Sequence, residues 1–157
     1  MKPLKKLTLA LLTVLSTVLL FSCSKDDDKT PMIPGETLAS TAWETTNAKN
    51  NKGENVALTD ANVVNFVGFA YFRTDGTFSI YNLDDSPKSQ GDWSVSADGK
   101  TRTIVAKNAA GQVLFTRVVD ILTLTQQEFT YRVYTNANDK TVYFDIVHTP
   151  TTHKEPK

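Results

Sequence analysis

The sequence predicts an all-β fold, about eight antiparallel strands in an up-and-down meander that closes into a barrel, with one short helical turn. Three observations carry that expectation. From Leu38 onward the chain is a succession of short runs rich in Val, Ile, Phe, Tyr and Thr. Two Asp-Gly pairs, Asp75-Gly76 and Asp98-Gly99, separate such runs at points where a tight hairpin needs residues that tolerate positive φ. Within the later runs apolar and polar residues alternate, the period of a strand with one buried face.

Taken in order, Thr41 to Asn47 forms the first expected strand and carries Trp43, and a polar loop runs on to Asn55. Thr59 or Asp60 caps a short helical turn through Asn65, since either side chain accepts a hydrogen bond from an orphan backbone N–H. Phe66 to Arg73 and Thr77 to Leu83 make a hairpin over Thr74-Asp75-Gly76. A longer loop from Asp84 to Gln90 precedes Asp92 to Ala97, which pairs with Thr101 to Lys107 across Asp98-Gly99. Gln112 to Leu124 is long enough to bend or break in two. Glu128 to Thr135 and Thr141 to Thr149 form the last hairpin.

Alternation assigns faces. Val142, Phe144, Ile146 and His148 share one side of the final strand, and Phe129, Tyr131 and Val133 share one side of its neighbour. These apolar sets belong inside. Eight strands leave an interior just wide enough for side chains or for one small ligand.

The N-terminus carries a different signal. Lys2, Lys5 and Lys6 precede an apolar run from Leu7 to Phe21, and Ser22-Cys23 forms a small-residue cleavage point. That run is short for a membrane span, which needs roughly 20 residues. Cys23, the one cysteine in the chain, stands where a bacterial lipoprotein is acylated. The expected divisions are a signal peptide (1–22), a lipidated flexible tether (23–37), a barrel domain (38–150) and a disordered tail (151–157).

Without the leader, 14 basic residues stand against 17 acidic ones, which argues against nucleic acid as a partner because phosphate binding needs a basic face. With Cys23 acylated, no thiol remains for a disulfide, a nucleophile or a metal. No metal is expected, because His148 and His153 are the only imidazoles and a catalytic zinc wants three fixed ligands. Asp26-Asp27-Asp28 and Asp84-Asp85 lack EF-hand spacing. No phosphate loop or nucleophile elbow occurs, so no cofactor is expected, and catalysis, as a hydrolase, is the weakest reading.

Two resemblances add to this. Ser24-Lys25-Asp26-Asp27-Asp28, just after the cysteine, resembles the acidic export signal of Bacteroidetes lipoproteins. That implies an outer-membrane lipoprotein exposed at the cell surface, with the periplasmic leaflet as the alternative. Thr41-Ala42-Trp43 at the head of a strand meander resembles the lipocalin-like barrels of small bacterial lipoproteins, in which a first-strand tryptophan plugs one end. Thr41 occupies the position where that group carries glycine. The blocks 66–72, 91–102 and Phe144-Asp145-Ile146-Val147-His148 are similar to a bacterial lipocalin-like domain family of unknown function, which implies the fold and no chemistry.

Charges embedded in apolar strands are the remaining clues: Arg102, Arg117, Asp120, Arg132 and Asp145. A buried charge must face solvent, pair, or line a polar cavity. Arg132 and Asp145, on neighbouring strands and opposite in sense to the apolar sets, are candidates for a structural ion pair on the outer wall. Arg117, with Phe115 two residues earlier on the same face, is the candidate anion contact. The expected function is non-catalytic binding of a small apolar or amphipathic molecule at a barrel mouth lined by Trp43, Tyr71, Phe78, Trp93 and Arg117. The alternative is a surface interaction module with a filled core, binding protein or glycan by its outer face or loops.

Overall fold

A computed structural model describes residues 32–157. The leader, Cys23, the Asp26–Asp28 cluster and most of the expected tether lie outside the described residues. The elements are α1 (Pro34–Ala39), β1 (Ala42–Asn50), a 3-10 turn (Val64–Phe66), β2 (Phe69–Phe72), β3 (Thr77–Tyr81), β4 (Pro87–Val95), β5 (Thr101–Lys107), β6 (Val113–Leu124), β7 (Phe129–Asn136) and β8 (Asp139–Thr151). The strands pair antiparallel in chain order, and β8 returns to β1, so the sheet is a closed barrel with no free edge.

Local chemistry explains most of the turns. In the β2–β3 hairpin, Gly76 takes φ 85° and Thr77 donates its N–H to Asp75 Oδ1 at 2.9 Å. Gly99 takes φ 70° between β4 and β5. Asp60 organises the turn after β1, its carbonyl accepting from Val63 and Val64 and its carboxylate from Asn62. β6 is continuous, and the bend expected of it is a register break between Ile121 and Thr123, a bulge that sharpens local twist. Two glycines allow backbones to approach closely. Gly68 (φ 152°) faces the Tyr81 carbonyl and Gly91 (φ 151°) the Val105 carbonyl, each so near that a Cβ would lie 2.0 Å from the oxygen.

Three segments differ from expectation. Residues 34–37, assigned to the tether, join Leu38 and Ala39 in a helix that packs on the barrel. Pro34 stands at the first helical position, where its missing N–H costs nothing, and Ile33 donates its N–H to the Glu36 carboxylate at 3.3 Å. Leu38 is fully buried. β4 begins at Pro87, not Asp92, because the Asp84-Asp85 pair closes a tight turn in which Asp85 takes φ 67°. Pro is accommodated as the first residue of a strand.

The third difference is the C-terminus, expected as a disordered tail. His153 stacks on Phe69, with centroids 3.8 Å apart, and Tyr71 Oη lies 2.6 Å from His153 Nδ1. Arg73 pairs with Glu155. The segment covers the outer face of β2, which explains why all four residues of that strand are buried. An apolar outer face needs cover, and the chain's own end supplies it.

The core fills the barrel from the α1 end. Trp43 is fully buried and donates Nε1–H to the Leu38 carbonyl at 2.8 Å, so the helix and the tryptophan close that end together. Phe129 meets the Trp43 ring edge-on at 5.9 Å, and Phe72 contacts Phe78, Trp93 and Phe129.

Candidate functional site

Beyond this plug the interior is not filled. A cavity of about 250 Å³ is lined by apolar Phe66, Ala70, Ile80, Ile104 and Phe115 and by polar Asn65, Lys88, Ser89, Arg102, Arg117, Tyr131 and His148. Its volume falls just below the roughly 300–1,000 Å³ typical of small-molecule sites. Among the described residues three cationic side chains line it and no carboxylate does.

Strand register sets the depth of each charge. Arg102, Ile104 and Ala106 alternate on the buried face of β5, opposite Val119, Arg117 and Phe115 of β6. Arg102 is therefore nearest the plug. It is 4% exposed, and its guanidinium carbon lies 5.5, 5.3 and 4.5 Å from the ring centres of Phe72, Phe129 and Tyr131. Burial pushes its pKa below the usual value, with the Tyr131 hydroxyl opposing that fall. An arginine nonetheless stays protonated in proteins. Two positions along β6, half-buried Arg117 is held between Phe66 and Phe115, 5.0 and 5.1 Å from their centres.

Lys88 has a different task. Its Nζ donates to the carbonyls of Val64 (3.1 Å) and Val67 (2.5 Å), fixing the 3-10 turn that brings Phe66 to the cavity. Burial lowers its pKa.

His148 completes the wall. Its Nε2 lies 3.0 Å from Thr45 Oγ1, an oxygen that also accepts the Gly68 N–H at 3.2 Å. The ring stacks on Tyr131 at 5.3 Å. Burial first, then the Arg102 charge, holds its pKa down to about 3, so it is neutral at physiological pH. Arg102 Nε and His148 Nδ1 are buried and lack a hydrogen-bond partner among the described residues. Natural interiors leave few such atoms.

Of the residues expected at the mouth, only Arg117 lines this cavity. Trp43 and Phe78 are packed into the core instead. Trp93 is half-buried, its Nε1 donating to the Arg73 carbonyl at 3.0 Å. Tyr71 projects from the other face of β2 under the C-terminal segment, because strand alternation sends it opposite to Ala70. Arg102, one of the embedded charges but not among the residues expected at the mouth, shares the parity of Ile104 and Ala106 and lines the cavity with Ile104.

Elsewhere, Arg132 and Asp145 are register partners joined by two hydrogen bonds of 2.7 and 3.0 Å. The guanidinium also lies 3.6 Å from the Tyr143 ring centre. His153 is remote from His148 in role, with its Nε2 3.2 Å from the Asp85 carboxylate on the outer wall. Asp84 accepts from the N–H and hydroxyl of Ser86. No group of three His, Cys, Asp or Glu side chains able to hold a metal gathers among the described residues.

No curated protein matches the chain. Among solved structures it is similar to a lipocalin-like protein from Bacteroides uniformis, at 14% identity over 73% of this chain and 99% of that one, with a TM-score of 0.49. It is also similar to a biogenic amine-binding protein, at 15% identity over 72% of this chain and 64% of that one, with a TM-score of 0.40. A family model matches residues 35–157, from the plug helix to the C-terminal cover, and on that match the chain belongs to the family described as a domain of unknown function, DUF4822.

Proposed function

We propose that the protein is a non-catalytic binding protein that takes a small amphipathic molecule into the barrel cavity. The observation that carries this reading is the unfilled volume between Arg102 and Phe115, in a closed sheet whose other end is packed solid. Apolar walls with a few convergent polar groups are the usual character of a ligand site. The cavity favours this over an interaction module with a filled core. The Thr45–His148 pair does not make a hydrolase site, since Thr45 is buried outside the cavity lining with its hydroxyl bonded to the Phe66 carbonyl, and His148 Nδ1 has no orienting partner among the described residues.

The binding domain works, in this proposal, on an acyl anchor at Cys23, at the outer membrane facing outward, or in the periplasmic leaflet. The support is the Lys-rich leader, the apolar run and the lone cysteine, followed by an acidic stretch. One acyl chain holds marginally and several hold firmly.

Native mass spectrometry on protein purified from its own host tests the carrier. A reproducible adduct of small-molecule mass supports it, and a clean apo mass in repeated preparations counts against it. Cys23→Ala tests the anchor: the variant should leave the membrane fraction or fail to be processed, and unchanged membrane association would overturn the lipoprotein reading.

A further inference from the structure

We infer that the ligand of this cavity is an organic acid, an apolar body carrying one anionic head that docks on the Arg102 guanidinium; this rests on the cavity being a binding site at all. Arg102 is a full positive charge, almost wholly buried, with no acidic side chain within ion-pair reach among the described residues. Leaving such a charge unpaired is costly, and three aromatic faces compensate only part of the lost hydration. Among the described residues its Nε–H has no acceptor, and the Nδ1 of neighbouring His148 has no partner either. A guanidinium offers donors in a fixed fork that matches a carboxylate with two parallel hydrogen bonds.

The rest of the cavity agrees. Arg117, at the level of Ile104 and nearer Phe115, adds a second positive charge along the way in. Lys88 adds a third, and among the described residues no lining carboxylate offsets them. A cationic ligand would meet repulsion at every level, so the field inside selects anions. Ile80, Ile104, Phe66 and Phe115 form the apolar wall for the body of the molecule. The size of the space limits that body to something small, such as a single ring or a short chain.

Calorimetric titration with two matched pairs tests this: 4-phenylbutyrate against 4-phenylbutanol, and octanoate against octanol. The unaltered protein should bind each acid about tenfold to a hundredfold tighter than its alcohol, the usual advantage of a charge-assisted hydrogen bond in a buried site. Arg102→Met should erase that preference while leaving the alcohols bound. Arg117→Gln should weaken the acids less, because Arg117 is only half-buried. Equal affinity for acid and alcohol, or acid binding unaffected by Arg102→Met, would overturn the inference. The comparison on the unaltered protein stands even where a variant does not fold. Nile red, a neutral apolar dye, separates the two levels of the argument. Dye uptake without acid preference sinks the anion assignment alone, whereas failure of dye, acids and alcohols together sinks the binding site itself.

Discussion

The guanidinium carbon of Arg102 lies 4.5 Å from the centre of the Tyr131 ring, and among the described residues that ring, not a carboxylate, is its nearest charge-stabilising neighbour. A site evolved for stability alone would pair this charge or replace it. Apolar residues of similar volume in place of buried charges are often neutral or stabilising. Arg102→Met in the ligand-free protein should therefore keep its stability within about 1 kcal/mol of the parent, or gain. Urea unfolding measures it. A loss of about 3 kcal/mol or more would make Arg102 a structural element instead.

His148 gives the fold an acid limit. Its pKa of about 3 in the folded protein lies below the ordinary imidazole value of 6.5. The unfolded chain binds that proton and the folded one does not, so the stability it contributes is present above pH 6.5 and lost as pH falls toward 3. The expected slope from this one group is about 1.4 kcal/mol per pH unit. Urea midpoints at pH 7 and pH 5 should differ clearly in the parent and much less in His148→Gln. An equal pH response in both would show that other groups carry the acid sensitivity.

Gly68 and Gly91 are expected to be the least replaceable glycines. A methyl group at either would sit 2.0 Å from a strand carbonyl, against rigid backbone, at a φ that L residues rarely adopt. Gly68→Ala and Gly91→Ala should each cost about 3 kcal/mol or more, or prevent folding. Gly53→Ala, with nothing within 4 Å of the new Cβ, should cost only about 1–2 kcal/mol through its positive φ. Thermal unfolding of the three variants gives the ranking directly.

The meander was legible because its information is local. Asp75-Gly76 and Asp98-Gly99 announce turns by residue type, and Arg132 and Asp145 could be matched because their parities oppose apolar neighbours on consecutive strands. The site was harder. Alternation alone places Arg102 with Ile104 and Ala106, yet a charge in that position contradicts the habit of assigning apolar residues inward. Trp43 has the chemistry of a ligand wall and also of the plug that the resemblance implied, and the packing of α1 against it decides for the plug. The covering of β2 depends on contacts some 82 residues apart in sequence, which no local pattern encodes.

That cover leads to a final expectation. Phe69 and Tyr71 face outward from β2, where His153 stacks on one and meets the hydroxyl of the other, and Tyr81 packs edge-on against Tyr71. Burial also raises the Tyr71 pKa, with Glu155 the next cause. Ending the chain at Thr151 would expose both aromatic faces and release Arg73 from Glu155. Each large apolar side chain contributes about 1.5–3 kcal/mol when fully buried, so partial exposure of the two should cost about 2–4 kcal/mol. The cavity lies on the opposite side of the β2 wall, where Ala70 points. Truncation should therefore lower the urea midpoint while leaving Nile red affinity near that of the parent at low temperature. Unchanged stability would mean that residues 152–157 leave the wall in solution, and a matching loss of dye binding would mean that they brace the cavity as well as the sheet.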